Sequence, residues 1–435
     1  MSNEKKKAAA ALSKTANLTL ATSIDDLLLA AQARGDESFE TGRHLIIYRE
    51  HAAEEGVKSL KTQGFSVADA RDFKDQGVRP EDAGGADAMM FPEIGVALVT
   101  GAAMLERGLS AQDSVTSDSL IEAIEPEYFV FHHNSEYLRG FVRAANTIAK
   151  DLGVRTHETP AQDDVEAEVL GATWGLVKCK VPPSARSGMG IKVAILDTGL
   201  DLGHPDFAGR PITSQTFVGQ PVQDLMGHGT HCTGTSCGTK APPGSTPRYG
   251  IAHAARIFTG KVLTNSGSGT GASVLAGMNW AIANRCEVIS MSLGSQSPVQ
   301  AAYTNAGAAA LARGCLIVAA AGNASASTGA PANSPTIMSV ASLDPTLLPS
   351  SFSNRGKIEI AAPGRDVFSS WPRPTRYRVI SGTSMATPHV AGCAALWAQT
   401  SASLRGMALW RRLQASALHL PLSSTLVGAG LVQAP

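Results

Sequence analysis

The sequence carries little charge and no imbalance of it. Lys+Arg and Asp+Glu number 37 each and cancel, so no overall field would draw the chain to nucleic acid or to an anionic membrane. Long apolar runs are missing as well: nothing approaches the roughly 18 residues a membrane-spanning helix needs. The opening stretch MSNEKKKAAAALSKTANLTL is basic, but Lys14 interrupts its alanines and Asp25 and Asp26 follow. That pattern reads as no secretory signal and suggests an intracellular location. Cysteine is scarce. Cys179, Cys232, Cys237, Cys286, Cys315 and Cys393 form no CxxC pair and no Cys/His zinc spacing, so a zinc centre is not expected. Cys232, Cys315 and Cys393 sit in apolar runs and read as buried thiols; a bridge between Cys179 and Cys286 stays open. Hydrophobic residues make up 43% of the chain, enough for a large core and too many for a disordered polymer. With 43 glycines in 435 residues, many tight turns and close backbone approaches are expected.

Composition divides the chain into four zones. Residues 1–42 read as a flexible tail. Over 43–133, HLIIYRE, FSVADARDF, FPEIGVALVT and IEAIEPEYFVFHH read as strands, with AAEEGVKSLKTQG as an amphipathic helix ending at Gly64 and a second, polar helix before the last strand. Strand–helix–strand–strand–helix–strand is the ferredoxin-like α+β pattern. Residues 134–172, acidic and proline-containing, read as a linker. From 173 to 435, near-continuous apolar strands (KVAILD, EVISMSL, CLIVAAA) alternate with alanine-rich helical stretches, which predicts an α/β fold with a doubly wound parallel sheet. Chemistry in such folds is sought beyond the carboxyl ends of the strands.

Polar residues stand at those ends. Asp197 closes KVAILD, His228 lies between two glycines in MGHGTHC, and Ser384 follows a Gly-Thr turn in SGTSMATPHVAG. A serine hydroxyl needs an adjacent base to become a nucleophile, and a buried carboxylate fixes the tautomer of that base. Asn323, at the end of CLIVAAAGN, carries an amide that can donate to an oxyanion.

At these residues the chain resembles the subtilisin-like serine proteases, in the order Asp, His, Ser. The matching motifs are DTGLDLGHPDF at 197–207, GHGTHC at 227–232, SLG at 292–294, AAGN at 320–323 and GTSMATPHVAG at 382–392. Together with SFSNRG they are most similar to the proteinase K branch. The resemblance implies a serine endopeptidase in which Asp197 orients His228, His228 is general base and then acid, and Ser384 attacks. Asn323 and the Ser384 amide would form the oxyanion hole. Gly267, Ser268 and Gly269 on one side, and Ser292, Leu293 and Gly294 on the other, would hold an extended substrate by its backbone. Ala320, Ala321, Gly322 and Gly329 would line an S1 pocket suited to an apolar or aromatic P1 residue.

No catalytic cofactor is implied. Asp206 matches a position that often ligates structural calcium in the family, although the loop CGTKAPPGSTPRYG lacks the asparagines expected to complete that site. His204, His231 and His389 read as structural, and Cys232 as a buried thiol. Residues 43–133 resemble the family's inhibitory propeptides through strand order and IEPE at 124–127. That likeness implies an intramolecular inhibitor, self-cleavage near His133–Asn134, and a 134–172 linker acting as an activation segment. The partners expected are protein or peptide substrates and this prodomain, with no nucleic acid and no membrane. Two rivals stay in view: a transpeptidase, in which an amine resolves the acyl-enzyme, and an inactive scaffold that binds extended peptides.

Overall fold

Ser23 caps the first described helix of the computed structural model, which describes residues 18–34, 39–109, 119–132 and 171–435. Its Oγ accepts from the Asp26 amide at 3.2 Å and donates to the Asp26 carboxylate at 2.7 Å, a reciprocal cap that starts helix α1 (Ile24–Arg34). Leu20, Ile24 and Leu27 are buried. This part of the 1–42 segment is therefore a packed helix rather than a tail.

Strand β1 (Glu40–Tyr48), helix α2 (Ala53–Thr62), strands β2 (Val67–Asp69), β3 (Ala88–Phe91) and β4 (Val96–Thr100), helix α3 (Gly101–Glu106) and strand β5 (Ile121–Phe131) follow. The sheet runs β2-β3-β4-β1-β5, with β3–β4, β4–β1 and β1–β5 antiparallel. Without β2, this is the strand order of the expected ferredoxin-like pattern. One assignment shifts. FSVADARDF supplies only the short edge strand β2, parallel to β3, and the second main strand is AMMF at 88–91. The glycines and acids of EDAGGAD mask that strand in the sequence.

Alternation along β1 sends side chains to two different cores. Ile46 and Tyr48 pack with Val57 and Leu60 of α2 and Met104 of α3. Leu45 and Ile47, with Phe91, Val96 and Leu98, face the other way into a cluster shared with the larger unit.

That unit begins with the short helix α4 (Trp174–Lys178). Its sheet is built on β6 (Lys192–Asp197), β7 (Ile212–Thr216), β8 (Arg256–Lys261), β10 (Val288–Met291), β11 (Leu316–Ala320), β12 (Met338–Leu343) and β13 (Ile360–Pro363), in the order β13-β12-β11-β10-β6-β8-β7. Every pairing is parallel, as the apolar strands predict. The short β9 (Ser268–Thr270) leaves this sheet and pairs antiparallel with β5. On one face lie α5 (His228–Cys237) and α8 (Thr383–Thr400), and on the other α6 (Gly271–Ala283) and α7 (Ala301–Ala312). Helix α8 is buried nearly all round, which its small residues permit: a Cβ on Gly392 would meet Ile251 at 2.7 Å. A hairpin of β14 (Val367–Ser370) and β15 (Tyr377–Ile380) precedes α8.

All six cysteines are free and buried. A Cys179–Cys286 bridge is ruled out by placement, because the central sheet separates the two. Val193 and Ile195 of β6 share a core with Cys179 and Cys393, whereas Ala194 and Leu196 share the opposite core with Cys286 and Cys315. Among the described residues, no helix is long and apolar enough to cross a membrane.

Candidate active site

Strand β6 delivers Asp197 to its carboxyl end, and α5 presents His228 at its first position. Gly227, just before it, has φ +109°, and a Cβ there would lie 2.3 Å from the Trp371 ring. Both facts require glycine. A buried carboxylate the sequence reading missed, Asp224, fixes this approach. It accepts from Thr198 Oγ1 (3.0 Å) and the Gly227 amide (2.8 Å), and from the amide (2.9 Å) and hydroxyl (2.7 Å) of Thr230. Its position four residues before His228 was the available signal.

His228 Nδ1 lies 2.7 Å from Asp197 Oδ1, with both side chains almost fully buried. A carboxylate only accepts, so Nδ1 carries the donated proton and Nε2 is the basic nitrogen of the neutral ring. Burial opposes charge on this imidazole, yet the Asp197 carboxylate outweighs it and holds the His228 pKa well above its ordinary value.

Ser384 is the second residue of α8. Its Oγ donates to the Ser292 carbonyl at 3.2 Å, and Ser292 Oγ donates to the Ser384 carbonyl at 2.7 Å. The serine hydroxyl must therefore turn from Ser292 to reach the imidazole. Asn323 Oδ1 accepts from both the amide and the hydroxyl of Thr383 at 2.8 Å, which turns Nδ2 away from Thr383. Thr383 is a second residue that the sequence reading missed.

Leu293, Gly294, Ala320, Ala321, Gly322, Asn323, Gly329 and Ser384 line one cavity of about 400 Å³. Ser292 stands behind it, bonded to Ser384. The remaining sequence candidates, Gly267, Ser268 and Gly269, lie across the cleft, and the end of β5 runs between the two sides. Phe131 exchanges two backbone hydrogen bonds with Gly294, at 3.0 and 2.9 Å, and the His132 amide donates to the Gly267 carbonyl at 3.1 Å. Val130 stands opposite Gly269 and Phe131 opposite Ser268. The His132 ring meets the His228 ring edge-on, centroids 5.2 Å apart.

Two acids of IEPE anchor β5 to the larger unit. Glu125 accepts from the Ala301 and Ala302 amides, both at 2.9 Å, at the N-terminus of α7. Glu127 accepts from the Ala272 amide at 2.8 Å at the start of α6. Fully buried, Glu127 also takes Arg43 Nε at 2.7 Å and Thr41 Oγ1 at 2.6 Å. Burial opposes its charge, but Arg43 and the other donors outweigh that cost and keep its pKa below the usual carboxylate value.

The calcium expectation for Asp206 meets a different arrangement. Tyr249 and Tyr377 both direct their hydroxyls at its carboxylate, Tyr377 at 3.1 and 3.2 Å, so tyrosines take the bonds that a cation would. Among the described residues, one group has metal-ligand spacing, Asp197, His228 and Cys232. There, Nδ1 is committed to Asp197, and burial raises the pKa of the thiol. His231 and His389 bond backbone carbonyls, and burial lowers their pKa values to about 3 and about 4, which leaves them neutral and structural.

Residues 188–430 match the model of the subtilase family. The chain is 40% identical over 282 residues to an alkaline protease of Shouchella clausii, covering 63% of this chain and 72% of that one. It is 41% identical over 268 residues to subtilisin Savinase of Lederbergia lenta (60% and 96%). It is also 33% identical over 333 residues to a cuticle-degrading protease of Metarhizium anisopliae (70% and 81%). Among solved structures, a cold-adapted subtilisin-like serine proteinase aligns with a TM-score of 0.52 at 34% identity, covering 60% of this chain and 97% of its own.

Proposed function

The chain belongs to the subtilase family and is a serine endopeptidase, and from that premise we propose that it is a self-processing proenzyme working through Asp197, His228 and Ser384. Ser384 Oγ attacks the scissile carbonyl while His228 Nε2 takes its proton. The imidazolium gains the Asp197 carboxylate as partner, then returns the proton to the leaving amine. Asn323 Nδ2 and the Ser384 amide receive the negative charge on the carbonyl oxygen, and water then resolves the acyl-enzyme. In subtilisins, losing one such side-chain donor costs about 10²–10³ in rate. The single observation that carries this reading is the 2.7 Å His228–Asp197 bond at the floor of a cleft through which β5 runs as an extended backbone.

Residues 43–133 act in this proposal as an inhibitory prodomain occupying the substrate path. With His132 beside His228, self-cleavage is assigned to the following bond, His133–Asn134. Residue 133 lies outside the described residues. The linker 134–172 then serves as an activation segment, and such latency suits a protease kept inside a cell. Substrates are proteins and peptides of broad sequence, with an apolar or aromatic P1 met by Ala320, Ala321, Gly322 and Gly329. The motif string around Ser384 and the thiol at Cys232 favour the proteinase K branch.

Intact mass and N-terminal sequencing of wild type beside Ser384→Ala test the proposal. Wild type is expected to split after His133, and the variant to stay whole. Equal splitting of both would assign the cut to another protease. A fluorophosphonate label that wild type takes and Ser384→Ala does not would exclude an inactive scaffold.

A further inference from the structure

We infer that Gln296 is a specificity-determining residue of the S1 pocket, and that it favours P1 rings carrying a hydrogen-bonding atom, tyrosine and histidine, over phenylalanine. The inference rests on the protease reading above and deepens its substrate class.

The pocket is apolar wherever the sequence reading assigned it. Alanines and glycines contribute no side-chain donor or acceptor, so by themselves they would rank P1 residues by size and hydrophobicity alone. Gln296 breaks that pattern. It leaves the substrate-pairing segment two residues after Gly294 and lines the same cavity as Ser384. Its Nε2 lies 3.1 Å from where a Cβ on Gly322 would stand and 3.4 Å from that of Gly329. The carboxamide thus lies against both glycines, which are neighbours on the pocket wall, since the Gly329 amide donates to the Ala321 carbonyl at 3.2 Å. Neither glycine can take a side chain that would fill this space: Gly322 has φ +109°, and a Cβ on Gly329 would meet the Ser295 carbonyl at 2.3 Å. The space is therefore permanently available to the amide.

A carboxamide both donates and accepts, so it can pair with a phenol or with either tautomer of an imidazole. Gln296 itself is solvent-exposed, so it can swing aside for a purely apolar ring at little cost. The result is a graded preference rather than an exclusion. The chain's own sequence agrees, since the residue following His132 is a second histidine, His133, at the position proposed for P1.

The test is a double-mutant cycle in the full-length chain. His133→Phe and His133→Tyr are each placed in wild type and in Gln296→Leu, and the rate of the 133–134 cut is followed by intact mass. One net hydrogen bond corresponds to about a two- to tenfold effect. With Gln296 present, His133→Phe is expected to slow the cut by that factor and His133→Tyr to preserve it, whereas in Gln296→Leu the three residues should cut at rates within about twofold. Equal slowing by His133→Phe in both backgrounds would overturn the inference. Blocked tetrapeptide anilides with tyrosine or phenylalanine at P1, added to the same preparations, give an independent ratio that must fall toward one in Gln296→Leu. If Ser384 takes the fluorophosphonate label but that ratio does not change, the inference fails and the protease reading survives. If nothing is labelled, the protease reading fails first.

Discussion

Two sheets lie side by side in this chain and are held by different means. The parallel sheet of 192–363 is covered on both faces by helices of its own unit, and its strands are largely buried apart from the edge strand β7. The antiparallel sheet of 40–131 covers only one face with its own α2 and α3. On its other face, Leu45, Ile47, Phe91, Val96 and Leu98 rest on helices of the larger unit. Each such side chain is worth about 1.5–3 kcal/mol when fully buried, a large sum against the roughly 5–15 kcal/mol by which domains are stable. The smaller unit therefore borrows half its core. The larger one supplies its own.

The sharpest way to break this contrast is to separate the units. Residues 1–133 expressed alone should lack a cooperative unfolding transition and amide protection, and should gain both when mixed with the remainder of a Ser384→Ala chain. A cooperative melt of the isolated fragment would show that its exposed face needs no cover. Next in size is the buried Arg43–Glu127 ion pair between β1 and β5, whose carboxylate also accepts from the Ala272 amide of the larger unit. Arg43→Ala leaves Glu127 charged without its main partner, so the association of the two units should weaken by about 3–5 kcal/mol, read by titration calorimetry. Glu125→Ala removes a half-buried cap at α7 and should cost about 0.5–2 kcal/mol. An equal loss in both variants would mean that the two acids act alike despite their different burial.

The smallest effect is one of pH. Burial lowers the pKa of His44 in the smaller sheet, and Glu127 only partly offsets this. Between its folded value and the ordinary value of about 6.5, the unfolded chain binds the proton and the folded chain does not. Stability is then full above pH 6.5 and declines as pH falls below it. His44→Leu should flatten that decline in hydrogen exchange of the smaller sheet without altering exchange in β6 or β10.

The motifs that carry Asp197, His228 and Ser384 were legible because each is a short stretch whose local turn already positions its side chain, and because strand ends in a parallel sheet converge. The IEPE acids were noticed, but their three amide targets lie 145, 176 and 177 residues away and no local pattern joins them. The partners of Asp206 were hidden for the same reason: Tyr249 and Tyr377 are 43 and 171 residues distant. Helix α1 is a different kind of miss. Its Ser23-x-x-Asp26 cap and its apolar residues at 20, 24 and 27 are local and could have been read, had the basic residues before it not drawn the whole segment into a tail. Strand β3 was obscured by its neighbours, since AMMF follows a run of glycine and acid.

The antiparallel pairing of Val130, Phe131 and His132 with the cleft has a consequence for how activity depends on protein concentration. On the proposed proenzyme reading, the strand in the cleft is presented, while the chain is continuous, at an effective concentration in the millimolar range set by its tether. A cut at the proposed 133–134 bond would leave every one of those contacts in place but remove that tether, so occupancy of the cleft would then follow the bulk concentration. A cut sample would stay silent when crowded and become active on dilution, and its time course would show a lag that lengthens as more of it is added.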